Sequence, residues 1–386
     1  MLNDAVQLGP LCYFDLLLLT PNYKWDSVFG RDGLVMLEAA RSFDYDKIHE
    51  FLVKSTDGDW CHTPMAAAGL AVHYGNMGGY AEVVDCTLTN LRRMIEEPDQ
   101  TVEVAAVAFT LPSWCSAVHF FEMSLNTRDT VTNMMVDYGF TFSKAREVIS
   151  TITVTWYRRV GDTTQNKYYV SCETCLWLAQ YGYLLVSSNP GMTSDEVIQS
   201  LPSLETVINQ ATTTDGISPM TSMFGCFSNP LITLGAVCEK FGRPDIALQF
   251  ASAALGPEAS AGTRLPSTRT LAMMMQGRSY AALGRLVDAS AAFEAAVSEA
   301  CCYELWLFEA FALRDLKLHV LDQMGHSVHG SRRLGASLRK LMGPADLLTP
   351  MMKGMDADEL IAMDGPEAAY QVEFTSPESE ATPVVM

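Results

Sequence analysis

Charge is scarce in this sequence. Asp, Glu, Lys and Arg make up 18 % of its 386 residues, against the roughly 25 % usual for soluble domains. Much of the 48 % that is hydrophobic must therefore be buried within the chain or against a partner. Positive charge is scarcer still. The formal net charge of −19 disfavours unspecific binding to nucleic acid or to an anionic membrane over the whole surface. Long hydrophobic runs are missing as well. The segment "LCYFDLLLLT" (11–20) carries Asp15 and is about half the roughly 20 apolar residues that a membrane span needs. The first residues show neither a basic start nor a small-residue cleavage site. The ten cysteines lie mostly inside apolar segments rather than on a disulfide framework. These features predict an intracellular protein of a reducing compartment, cytoplasmic by default, with a processed organellar form as the alternative.

Motifs that declare a chemistry are missing too. There is no G-x-S-x-G, no H-E-x-x-H, no P-loop and no G-x-G-x-x-G. The pair "CETC" (172–175) is a lone Cys-x-x-Cys, whereas tetrahedral zinc asks for four ligands. Its flanks read as a buried helix. No metal and no cofactor are expected. The loop "TDGDWCHTP" (56–64) gathers Asp57, Asp59 and His62 and supports an alternative in which an all-α enzyme uses a cleft there for acid–base work. A polar turn anchored by Trp60 explains the same residues.

Helix periodicity fills what remains. Apolar residues recur at three- and four-residue spacing through 34–54, 64–74, 80–97, 102–123, 172–186, 231–255, 268–283, 286–300 and 303–323. Strand signals are sparse. "STITVTWYRRV" (150–160) is the best of them, and a strand there has nothing to pair with, so the helix that Ser143 opens is expected to continue through it. Short Gly-, Pro- and Asn-bearing breakers separate the helices, as between antiparallel neighbours. The expected class is all-α.

The stretch "GRSYAALGRLVDASAAFEAAVSEA" (277–300) says how such helices pack. Gly277 permits close approach and Tyr280 fills the gap beside it. Gly284 ends the first helix in the left-handed conformation. Ala289 is small at the crossing, Phe293 supplies bulk, and Ala296 is small again. Upstream, "LGAVCEKFGRPDIALQFASAAL" (234–255) repeats the order with Gly235, Gly242 and Ala247. "AVHYGNMGGYAEVVDCTLTNL" (71–91) repeats it loosely, with Tyr74 and Gly78. This order resembles the tetratricopeptide repeat, G-x-x-Y…A-x-x-x-F. The resemblance covers two adjacent hairpins well and one loosely. It implies an α-α superhelix of stacked antiparallel hairpins whose first helices line a groove for an extended peptide or a helix.

Three regions follow: a weakly repeat-like helical region over 1–215, hairpins with a basic terminal helix over 216–345, and an acidic tail over 346–386, disordered or loosely docked. The expected function is a non-catalytic scaffold, an adaptor or fixed subunit that binds another protein or a multi-subunit complex. Groove candidates from first helices are Tyr74, Met273, Gln276, Arg278 and Tyr280. The segment "HSVHGSRRLGASLRKLMG" (326–343) has no acid, and its Arg332, Arg333, Arg339 and Lys340 fit an acidic partner surface, or a terminal capping helix that is solvated or pairs with the chain's own acidic tail. A further alternative has that cluster contacting RNA, which the net acidity opposes.

Overall fold

The computed structural model describes residues 115, 118–120, 125–137, 139–150, 172–212, 229–256, 266–303, 305–341 and 348–363. The described residues form helices and turns, with no strand among them. The loop at 56–64, Tyr74, the β-like run at 151–160 and the tail beyond 363 lie outside them. Eleven α-helices follow in order. They are α1 (Leu125–Asp137), α2 (Cys172–Val186), α3 (Ser194–Ser200), α4 (Leu204–Thr212), α5 (Pro230–Lys240), α6 (Pro244–Leu255), α7 (Pro266–Ala282), α8 (Leu286–Cys302), α9 (Trp306–Leu316), α10 (Ser327–Leu338) and α11 (Ala357–Ala362). A further helical turn covers 145–150. None is long and apolar enough to cross a membrane.

Local sequence sets the helix ends. Asn229 caps α5, accepting a hydrogen bond from the Leu231 amide at 3.0 Å, and Pro230 takes the first helical position, where its missing N–H costs nothing. Thr193 and Glu196 form a reciprocal capping box at α3. The turns after α5 and α7 are built alike. Gly242 (φ 74°) and Gly284 (φ 75°) take the left-handed conformation that side chains resist. Beyond each glycine an amide closes the helix end, Arg243 to the Cys238 carbonyl at 2.8 Å and Arg285 to the Tyr280 carbonyl at 2.9 Å. The two arginines then pair with acids in the next first turn, Asp245 and Asp288. Helix α9 turns into a π-helical stretch, Lys317–Leu321, and ends at a third such turn, Gly325 (φ 78°).

From α5 onward each helix packs on the next, and α5, α7 and α9 also touch in succession. The segments α5–α6, α7–α8 and α9–α10 are helical hairpins joined by those turns. Gly277 lies where α7 meets α8: a Cβ there would sit 2.6–2.7 Å from the Phe293 ring. Phe293 is fully buried, and His319 stacks on it at 6.3 Å between centroids. Ala247, Ala289 and Ala296 are fully buried as well. Region 172–212 joins this run chiefly through α2 on α5.

Residues 348–363, inside the segment expected as an acidic tail, are docked on the helices before them. Leu348, Met351 and Met352 are buried and lead into α11, which lies on α10. Ala357 and Leu360 of α11 are buried, while Asp356, Asp358 and Glu359 remain outside. Burying Leu360 contributes roughly 1.5–3 kcal/mol. A Cβ on Gly335 of α10 would run into the Leu360 carbonyl, so this contact is backbone against backbone.

Candidate functional site

Charge inside an apolar helix bundle marks the place where the sequence accepted a cost. Helices α5, α7 and α9 each carry such charge, and the three groups meet. The Arg278 guanidinium of α7 donates through Nε and Nη2 to both Glu239 oxygens, at 3.1 and 3.0 Å, and through Nη1 to Asp315 Oδ2 at 2.8 Å. Asp315 is 0 % exposed and also accepts from Arg314 Nε at 2.9 Å. Arg314 in turn donates through Nη1 to the Met351 carbonyl at 2.7 Å. Lys353 approaches Asp315 Oδ1 at 3.8 Å. The result is a ladder of ion pairs crossing three successive hairpins and reaching the 348–353 segment.

The ladder shifts its own members. Burial pushes the Asp315 carboxyl up, but Arg314 and Arg278 overrule it and hold the group below the usual carboxylate range. Burial pulls Arg278 down, and Glu239 and Asp315 more than reverse that. Glu239 itself titrates above the ordinary value, because burial outweighs its bond to Arg278. Beside the ladder, Arg278 lies over the Phe120 ring, 5.6 Å from its centroid. His119 Nδ1 is buried without a hydrogen-bond partner. Burial first, then the Arg278 charge, lowers its pKa to about 3, so the ring stays neutral.

Lys240, at the end of α5, does a different job. Its Nζ donates to the Leu184, Leu185 and Ser187 carbonyls at 2.7, 2.8 and 2.9 Å. The first two belong to the last turn of α2, where carbonyls lack a partner within their own helix, and Ser187 directly follows it. The ammonium also sits at the negative end of the α2 dipole. Burial, with a smaller contribution from Arg128, lowers its pKa to about 8.

The expected site residues are divided by this arrangement. Arg278 is turned inward, with 16 % of its side chain exposed, because two buried carboxylates hold it. Met273 and Tyr280 are half-buried against the core, and the Arg285 guanidinium lies 4.5 Å from the Tyr280 ring centroid. Gln276 donates to Ser252 of α6 at 3.1 Å. The basic helix is spent largely within the chain. Arg333 grips Glu294 of α8 with two hydrogen bonds. Lys340 reaches Glu309 of α9 at 2.8 Å and lies over the Trp306 ring. Arg339 donates to the Ile361 carbonyl at 2.9 Å. Arg332 is exposed. Glu239, Asp315, Arg314, Lys240 and His119 escaped notice in the sequence. The signal was present in "FALRDLKLHV" (311–320), where an Arg–Asp pair interrupts an apolar helix.

Chemically, the ladder is a tie. Its guanidiniums are engaged by carboxylates and a carbonyl, and no group of three or more His, Cys, Asp or Glu stands ready for a metal ion among the described residues. The sequence matches no protein-family model and no curated protein, so its function has to be read from these residues themselves.

Proposed function

We propose that the chain is a helical-repeat scaffold that binds another protein, as an adaptor or as a fixed subunit of a larger assembly in a reducing compartment. One observation carries this reading. Three consecutive hairpins are tied through their first helices by the Glu239–Arg278–Asp315 ladder, so the run is braced from unit to unit. Stacked hairpins of the tetratricopeptide kind have this form and use it to present a long surface to peptides or helices. The low charged fraction favours a lasting interface over a fleeting one.

The test is the mass of the native particle, isolated from its own cells at low ionic strength. Under this proposal the particle exceeds the 42.4 kDa of one chain and contains other chains at fixed stoichiometry. A clean monomer that neither gains a partner at high concentration nor loses one on salt addition refutes the fixed-subunit form.

A further inference from the structure

The end of the described chain is held in an unusual way. Two arginines grip it by its backbone: Arg314 through the Met351 carbonyl, and Arg339 through the Ile361 carbonyl, with a longer contact to Met363 at 3.4 Å. Carbonyls at a helix end are common to every helix, so this grip does not depend on the side chains of α11. Beneath α11, Gly335 leaves α10 bare, and any side chain there would collide with the Leu360 carbonyl. The surface is therefore shaped for close approach by a helix backbone.

Helix α11 has six residues, too few to persist in water alone, so it forms by docking. Its buried residues are Ala357 and Leu360, while Asp358, Glu359 and Ala362 face outward. Asp356 caps its first turn through the Asp358 and Glu359 amides. A strained joint separates it from the firmly buried Leu348–Met352 stretch. Lys353 and Gly354 are both left-handed, φ 53° and 82°, and for the lysine that conformation is unfavourable.

We propose that α11 is a displaceable strap and that the α10 surface beneath it, at Gly335 and Arg339, is the docking site for a short helix of a partner protein. The chemistry of that partner is set by what α11 shows: a capping Asp, Ser, Thr or Asn, a small residue directly after it, a leucine three positions further on, and free final carbonyls for Arg339. This rests on the scaffold reading and names where the partner would sit.

The probe is a fluorescent synthetic peptide of residues 354–364 added to the full-length protein. In the wild type the strap occupies the site and peptide binding is weak. The Leu360→Lys protein, whose strap no longer seats, binds the peptide at least tenfold more tightly. Adding Gly335→Ala to that variant returns binding to the wild-type level or below, and adding Arg339→Ala weakens it several-fold. Hydrogen exchange on the wild type supplies the second reading, with the 357–362 amides exchanging at least tenfold faster than those of α10. The inference is overturned if Leu360→Lys binds no better than wild type, if Gly335→Ala leaves its binding intact, or if α10 and α11 exchange together. A strap that behaves as expected in a protein whose native particle is a clean monomer would sink the scaffold reading instead. A multi-chain particle whose strap never opens would sink only this inference.

Discussion

Replacing Gly277 with alanine sets two effects of opposite sign against each other. Alanine is the better helix former by about 1 kcal/mol, and Gly277 lies within α7, so propensity alone predicts stabilisation. Packing predicts the reverse. The new methyl would lie 2.6–2.7 Å from three Phe293 ring atoms, nearly an ångström inside normal contact. The ring has no retreat, because it is fully buried with His319 stacked on it. Overpacking of this kind costs about 1–3 kcal/mol, so the net expectation is a loss of up to about 2 kcal/mol. Gly235→Ala is the internal control. Its methyl meets chiefly the Met275 thioether, which is flexible and moves aside, so the two effects should nearly cancel. The assay is urea unfolding of the full-length chain followed by circular dichroism, with midpoints for both variants, for Phe293→Leu and for the Gly277→Ala/Phe293→Leu pair. The double variant should be less destabilised than the two single effects summed, since the smaller side chain makes room. A Gly277→Ala protein as stable as wild type, or strict additivity in the double variant, would refute the steric account of this hairpin.

Other expectations follow from the buried charges. Arg278→Met leaves Glu239 without its cation and Asp315 with one fewer, and should cost about 3–5 kcal/mol, checked by the same unfolding experiment; Glu239→Gln/Arg278→Met should recover part of it. His119 is held neutral at a pKa of about 3, below the roughly 6.5 of an unfolded histidine. The unfolded chain therefore binds the extra proton between these values, and stability falls as pH drops from about 6.5 towards 3, by at most about 1.4 kcal/mol per unit from this group. Midpoints measured from pH 7 to 4.5 should slope less in His119→Phe, and an unchanged slope would count against the neutral buried ring. Lys240→Met removes the donor to three α2 carbonyls, so hydrogen exchange of the last α2 turn should quicken at least tenfold while α7 and α8 amides stay protected.

Contacts made between residues close in the chain were the ones open to sequence reading. Gly277 and Phe293 lie 16 positions apart in one hairpin, and each has a residue type that makes sense only beside something of the opposite size. Gly242 and Gly284 could be read as left-handed helix ends because few other residues fit such turns. Arg278 could not be placed the same way. Its partners lie 39 and 37 residues away, and an arginine on a helix looks the same in sequence whether it meets solvent or a buried carboxylate. The partners of the basic helix were illegible for a related reason. Counting charges along it could not reveal that Glu294 and Glu309 stand opposite Arg333 and Lys340 on other helices. Composition alone also did not show that Leu348, Met351, Met352 and Leu360 of the expected tail are buried.

The ladder also constrains the order in which this sequence can drift. Losing Arg278 first strands Glu239 in a dry interior and leaves Asp315 with one cation fewer, and losing Asp315 first leaves Arg314 without its carboxylate partner. Losing Glu239 first is the mild step: it removes a group already reluctant to ionise, and Arg278 keeps Asp315. Lineages descending from this chain should therefore shed the acid of α5 before its arginine. Chains that keep Glu239 while lacking Arg278 should be rare unless a new cation has arisen nearby. The three hairpins are bound to one another through evolutionary time as well as in space, with a permitted direction of change.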